Sequence, residues 1–447
     1  MKNFLKAIII CCLLTQCQSP NRIATPIVFT INAFDVPNNQ MEVTFSITNT
    51  TDTFWEGGNW SLHWNSIFGE TIPESLPEGM EYNYVDGQQY LILTFGEQYN
   101  LNPKESLSFS AVQKGIIPRL AMGPNGFFVH NKNTQTNIDL ESKIVWQNAK
   151  GIEGLNIPSA EDRYATYKTL KTVPKEQLAW VIPSPQKHEF KGEYRTPSAL
   201  NFNLDSFEMD VNFISERLQE GLTITVNSEN NLDNNLSVIQ NNSLGREAYR
   251  LQISEDKIRI EASHSTGVFY AFESLHQILL IAQNEEKGWP IITIEDAPRF
   301  ENRGFMSDVA RNFYPKEKLF QILDYMALYK LNRFDLKLTD DDGWRIEIPG
   351  LPELTEVGGK RGYTKDENDR LIPMYGSGSG DQKSTGNGFL SGQDFVEIIQ
   401  YAKERHIEVI PQVSFPSHAR AAIKAMKARY ENYKAAGDME AATEYML

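Results

Sequence analysis

Apolar and polar positions follow different periods in different parts of this chain. From about residue 27 to 146 the apolar runs are short and mostly alternate with polar residues, as in Ile27-Val-Phe-Thr-Ile-Asn, Met41-Glu-Val-Thr-Phe-Ser-Ile and Tyr90-Leu-Ile-Leu-Thr-Phe. Asn, Gly and Pro fill the gaps. A period of two in short runs predicts strands, and a succession of them predicts a β-sandwich over 24–147. Residues 148–175 are polar and turn-rich and read as a linker.

The pattern then changes twice. Over 176–298 an alternating pair, 248–253 and 257–261, is joined by Ser254-Glu-Asp256. A helical stretch follows with Val268, Phe269, Phe272, Leu275 and Leu279 on one face, so this segment predicts a small α+β domain. Over 299–447 strand and helix patterns alternate. Strands are predicted at 304–309, 333–338 and 407–413. Helices follow Pro315 (face Leu319, Phe320, Leu323, Met326, Ala327), Ser391 and Ser417. Such alternation predicts a parallel sheet with chemistry at the carboxyl ends of its strands.

Three strand–helix units in about 150 residues fall short of the ~250 that a closed eight-fold barrel needs, so the expectation is an incomplete (β/α)8 TIM barrel in a multidomain chain. That implies the amino-terminal part of a longer protein, with an unpaired sheet edge and a tendency to aggregate. The connection 339–390 carries Gly376-Ser-Gly-Ser-Gly380 and Gly386-Asn-Gly388. Its length predicts a lid or a disordered insert. Its glycines do not follow a strand and open a helix, which disfavours a phosphate cradle.

Charge and cysteine usage narrow the function. Across 447 residues, 43 Lys+Arg stand against 58 Asp+Glu, a formal charge of −15 with no basic run, so a nucleic-acid partner is disfavoured while a neutral sugar is not. Cys11, Cys12 and Cys17 all lie at the amino terminus, leaving the body without a disulfide or a cysteine metal site. Lys2 and Lys6 precede the apolar stretch 7–14, which has signal-peptide length and is too short to span a bilayer. The ending Leu14-Thr-Gln-Cys17 resembles a bacterial lipoprotein signal, with Cys17 as the lipidated residue and Gln16 as a departure. Export to the periplasm or cell envelope is the expectation, with membrane contact only through that anchor.

The predicted strand ends carry Asp308 and Arg311, then Asp340 and Asp341, then Ser414 and His418. Arg311 could serve a surface ion pair or present its guanidinium fork to adjacent sugar hydroxyls; its place at the barrel mouth favours the second. Paired carboxylates suit either a glycosidase acid–nucleophile pair or a hard cation. Adjacent residues on an extended strand point to opposite faces, so only one of Asp340 and Asp341 is expected to face the mouth. His264 and His276 have no partner at metal spacing and read as core or surface residues. No metal and no cofactor are expected. Trp55, Trp60 and Trp64 either stack on sugars or fill a core, and the core is the ordinary place for them.

Three segments carry a family likeness: Arg303-Gly…Asp308-x-x-Arg311, Asn332-x-Phe…Leu-Thr-Asp340-Asp341-x-Gly-Trp-Arg345-Ile-Glu-Ile, and Val409-Ile-Pro…Pro416-x-His418-Ala-Arg-Ala-Ala. Together they resemble the start of the catalytic barrel of the family-20 glycoside hydrolases, the β-N-acetylhexosaminidases. Gly123-Pro-Asn-Gly126-Phe-Phe-Val and the tryptophans resemble the amino-terminal carbohydrate-binding domain of the chitobiase branch, and 176–298 resembles the small domain before the barrel. The resemblance implies exo-hydrolysis of terminal N-acetylglucosamine or N-acetylgalactosamine from glycans, by a substrate-assisted retaining mechanism. It assigns Arg311 to substrate hydroxyls. It makes Asp340 the mouth residue, paired with His418 to tune the catalytic acid. Asp335, Lys337, Gln412, Ser414 and Ser417 depart from the family pattern. The acid Glu and its Asp partner belong to a His-x-Gly-Gly-Asp-Glu-like stretch that is absent from this sequence, so the chain alone is expected to be inactive. A non-catalytic, glycan-binding surface lipoprotein is the alternative.

Overall fold

The computed structural model describes residues 26–445 except 86–88, 120–121, 147, 156, 159, 172–173, 175–179, 196–198, 205–206, 229–234, 287 and 381–383. The predicted export segment, with Cys11, Cys12 and Cys17, lies outside the described residues. No helix among them is long and apolar enough to cross a membrane. The chain divides into two compact units: Met1–Ala160 together with Lys360–Asn387, and Glu161–Gly359 together with Gly388–Leu447.

The first unit is built on the predicted β-sandwich. One sheet runs in the order Ser142–Val145, Ile27–Asp35, Gln40–Thr48, Ser106–Lys114, Glu70–Thr71. The other runs Met80–Val85, Tyr90–Phe95, Trp60–Asn65, Asn125–Asn131, Thr136–Asp139. Alternation sends Phe29, Val43 and Phe45 from the first sheet, and Leu62, Trp64 and Leu93 from the second, into one core. On the other face of the first sheet, hydroxyls pair across strands: Thr44 with Ser110 at 3.0 Å and Ser46 with Ser108 at 2.9 Å. Trp55, Trp60 and Trp64 are buried, so their rings fill the core and are not available for sugar stacking.

The long connection departs from expectation. The described residues of 360–387 form a folded strap that belongs to the sandwich unit. Asn65 donates from Nδ2 to the Pro373 carbonyl at 2.9 Å, and its Oδ1 accepts from the Gly376 amide at 3.2 Å. Asp139 accepts from the Ser379 amide at 2.7 Å and from its hydroxyl at 2.9 Å. A Cβ at Gly378 would stand 2.5 Å from Asp139 Oδ1, and the residue sits at φ +65°, so the Gly-Ser-Gly-Ser-Gly run is the chemistry of close docking. Composition marked the absence of a helix or strand here. It could not reveal a docking partner more than 200 residues away.

In the second unit a five-stranded sheet, ordered Lys187–Arg195, Trp289–Asp296, Tyr249–Ile253, Ile258–Ala262, Leu236–Gln240, supports the helix Ser265–Asn284. The helix buries Val268, Phe269, Phe272, Leu275 and Leu279. His264 caps it, its Nδ1 accepting from the Thr266 amide at 3.2 Å, and His276 Nε2 donates to the Glu220 carbonyl at 2.7 Å. Both histidines are structural. The parallel sheet follows, with strands Gly304–Asp308, Arg333–Lys337 and Glu408–Gln412 in that order and in parallel register. Helices Lys316–Leu328 and Gly392–Glu404 contribute Leu319, Leu323, Met326, Ile398 and Ala402 to the core these strands share with the five-stranded sheet. Phe305, Met306 and Ile410, by contrast, are exposed.

Candidate active site

The three parallel strands end together, and each end bears the residues that the spacing singled out. After the first strand, Asp308 Oδ1 accepts from the amides of Ala310 at 3.0 Å and Arg311 at 3.1 Å, closing a turn that aims the Arg311 side chain. The Arg311 guanidinium then pairs with Asp308, with Asp340 at 2.9 Å, and with Asp342 at 3.7 Å. Arg311 is thus an ion-pairing residue at the strand ends. Its carboxylate neighbours hold it in place, and it remains about one-third exposed.

Behind the second strand lies a short hairpin, Thr339–Asp340 against Gly343–Trp344. Asp340 is wholly buried and hydrogen-bonds Lys337, which is itself buried. Burial works against the Asp340 charge. The Lys337 hydrogen bond, the Asp341 amide at 2.7 Å and the Arg311 guanidinium outweigh it, holding the carboxyl below its ordinary range. Lys337 thus supplies the counter-charge that a buried carboxylate requires.

His418 approaches from the far side of the third strand at φ +54°, a left-handed conformation uncommon outside glycine and frequent at functional sites. Its Nδ1 lies 3.2 Å from Asp340 Oδ1 and 3.1 Å from Asp341 Oδ2. Both carboxylates therefore reach one imidazole, against the expectation that Asp340 and Asp341 point apart. Strand alternation fails because the chain is already turning at Asp341 into the hairpin. Asp341 also accepts from the Arg420 amide at 3.0 Å, which ties the start of helix Arg420–Ala435 to the hairpin. Ser414 donates from its amide to Thr339 Oγ1 at 2.9 Å and joins the same framework.

One oxygen from each of Asp340 and Asp341 and a nitrogen of His418 lie within 4.8 Å of one another, a grouping that could hold a cation. The Lys337 ammonium and the Arg311 guanidinium already face Asp340, so like-charge repulsion opposes a metal there.

Asp342 and Arg345 went unremarked as site residues in the spacing. The Arg345 guanidinium is fully buried and donates to three backbone carbonyls: twice to Ala310 at 3.0 and 3.1 Å, and to Gly359 at 2.8 Å and Gly388 at 3.0 Å. It fixes the residue preceding Arg311. A Cβ at Gly343 would stand 2.5 Å from the same Ala310 oxygen, which accounts for the Asp-Gly-Trp-Arg order. A cavity of about 220 Å³ lies near the amino-terminal end of the first strand, among Tyr249, Tyr270, Arg303 and Lys330.

Residues 300–446 match the model for glycosyl hydrolase family 20, catalytic domain, and residues 179–297 match family 20, domain 2. N,N'-diacetylchitobiase of Vibrio harveyi is 34% identical over 392 residues, covering 81% of this chain and 43% of that protein. A beta-hexosaminidase of Vibrio vulnificus is 34% identical over 65% of this chain and 34% of its own length. The chain thus spans less than half the length of the curated relatives it matches. The crystal structure of a family-20 exo-β-N-acetylglucosaminidase from Vibrio harveyi with N-acetylglucosamine superposes with TM-score 0.68 over 90% of this chain and 58% of that one, at 24% identity. This likeness establishes the shared fold.

Proposed function

Since this chain belongs to glycosyl hydrolase family 20, we propose that it serves a β-N-acetylhexosaminidase removing terminal N-acetylglucosamine or N-acetylgalactosamine from glycans. The observation that carries the reading is the meeting of Arg311 and His418 on opposite oxygens of Asp340, 2.9 and 3.2 Å away. Arg311 presents a rigid, partly exposed guanidinium of a kind suited to adjacent hydroxyls of one sugar ring. Asp340 orients the His418 imidazole, and the pair tunes a neighbouring acid. In substrate-assisted retention the sugar's own acetamido oxygen attacks the anomeric carbon, so the protein contributes positioning and a proton. The residues named here do the positioning.

Calorimetric titration with N-acetylglucosamine oligomers tests the reading. Binding is expected, with affinity falling at least about tenfold in Arg311→Ala, the loss of a charge-assisted hydrogen bond. No heat at millimolar sugar, or equal affinity in the variant, would rule it out.

The Lys337–Asp340 ion pair favours a second reading, a glycan-binding protein without hydrolysis, because it neutralises the carboxylate that would tune the acid. Release of chromogen from an N-acetylglucosaminide by the protein, lost in Arg311→Ala, excludes that alternative. We place the protein outside the cytoplasm with a lipid on Cys17, a reading supported by the sequence of residues 1–17. Radiolabelled fatty acid incorporated into the wild type and absent from Cys17→Ser is the expected outcome.

A further inference from the structure

The described residues of the strap 360–387 dock, through Tyr363, Pro373, Gly376 and Ser379, on the outward face of the sandwich sheet that contains Trp60–Asn65 and Asn125–Asn131. Alternation places Leu62 and Trp64 in the core and turns Ser61, His63 and Asn65 to this face. His63 is buried there. Its Nε2 lies 2.7 Å from Ser61 Oγ and its Nδ1 2.6 Å from the Tyr90 hydroxyl. Its ring stacks on Phe128 at 4.7 Å, with Tyr363 of the strap edge-on at 5.6 Å. His130 stacks face to face with the same Tyr363 at 4.1 Å, and its Nδ1 bonds Asn137 Oδ1 at 2.9 Å. Two imidazoles thus form the seat for one strap tyrosine.

The surroundings suit neutral rings only. A neutral imidazole can donate to one of the Ser61 and Tyr90 hydroxyls and accept from the other. The charged groups acting on the two rings are cations from both sides of the contact: Lys132 beyond strand Asn125–Asn131, and Lys365 on the strap. Tyr90 and Tyr363 are both held protonated by burial and offer no counter-charge. Asp139, farther along, is engaged by Ser379.

We propose that the strap is a latch released by acid, with His63 and His130 as its proton sensors and Tyr363 as the part that lets go. Burial, reinforced by His130 and Lys132, pushes the His63 imidazole down to about 3, and burial also lowers His130. Once the strap leaves, these rings face water and regain an ordinary affinity near pH 6.5. The docked state has the lower pKa, so its stability is complete above about 6.5 and declines as pH falls toward 3. At pH 4.5 the His63 linkage alone weakens docking about 100-fold. Protonated His130 would add repulsion from Lys365 on the departing segment.

Amide hydrogen exchange on the whole chain, corrected for intrinsic rates, reads this directly. Between pH 7.5 and 4.5, protection across 360–387 should fall by about 100-fold, while strands Ile27–Asp35 and Gln40–Thr48 keep theirs. His63→Gln/His130→Gln keeps hydrogen-bonding side chains that do not titrate, and its strap should stay protected at both pH values. If that variant folds poorly, His130→Gln alone should retain part of the lost protection. Tyr363→Ala should expose the strap at both. Unchanged wild-type protection at pH 4.5 overturns the proposal. So does an equal loss in the glutamine variants, or a loss abolished only by Asp139→Asn, which would put the proton on the carboxylate.

Discussion

The sandwich and the parallel sheet treat the same kind of residue in opposite ways. In the sandwich, Phe45 of strand Gln40–Thr48 is 1% exposed, stacked on Phe109 at 5.2 Å and packed against Trp64 of the facing sheet at 5.5 Å. In the parallel sheet, Phe305 of strand Gly304–Asp308 is 45% exposed. Two sheets whose apolar faces meet satisfy each other, whereas a parallel sheet needs cover on both sides. The difference also follows the division of labour: the sandwich buries its apolar side chains, and the parallel sheet gathers charge at its strand ends.

The largest expected effect tests the sandwich side of that contrast. Phe45→Ala should cost about 3–5 kcal/mol, read by urea unfolding followed through tryptophan fluorescence, because the cavity cannot collapse between two sheets. A loss below ~1 kcal/mol would mean the two sheets pack loosely. Next comes the charged cluster. Asp340→Ala leaves the buried Lys337 facing, among the described acidic residues, Asp308 at 4.0 Å, and should cost about 3 kcal/mol. Little change there would show that water reaches the ammonium.

A smaller effect concerns the helix after the long connection. Ser391 and Asp394 form a reciprocal capping box, and Lys316 bonds Asp394 at 2.7 Å. Lys316, with the Ser391 hydroxyl and amide, holds the Asp394 carboxyl down to about 2. Asp394→Ala should cost about 1 kcal/mol. The folded pKa is depressed, so this contribution is present above about pH 4 and disappears as pH falls toward 2. A wild-type advantage that persists at pH 2 would contradict it. The smallest stability change belongs to Phe305→Ser, expected within about 0.5 kcal/mol. Its signature should be reduced binding of a hydrophobic dye and less self-association, measured by fluorescence and light scattering. An unchanged dye signal would place the sticky surface elsewhere.

Where periodicity was strong the elements were legible: the sandwich strands and the apolar face of helix Ser265–Asn284 fall where expected, and the three parallel strands match within a residue or two. Arg311, Asp340 and His418 were legible as strand-end residues, and the coordinates bring them together. Arg345 was harder to read. An arginine in the connection after the second predicted strand looks like surface, and only the meeting of Ala310, Gly359 and Gly388 carbonyls makes it a buried clamp. The Asp340–Asp341 pair failed for a local reason, since a rule for extended strands was applied where a turn had begun.

Hydrophobic spacing is a property of neighbouring residues, so the order of strands and helices, and the strand ends where polar groups collect, could be read along the chain. The identity of partners could not. That Lys337 neutralises Asp340, that two adjacent carboxylates share His418, and that a glycine-rich segment seats Tyr363 on His63 and His130 all depend on contacts between residues far apart in sequence or on the local turn of the backbone. Such contacts follow from how the elements pack, because burial and charge compensation act across space and leave no period behind.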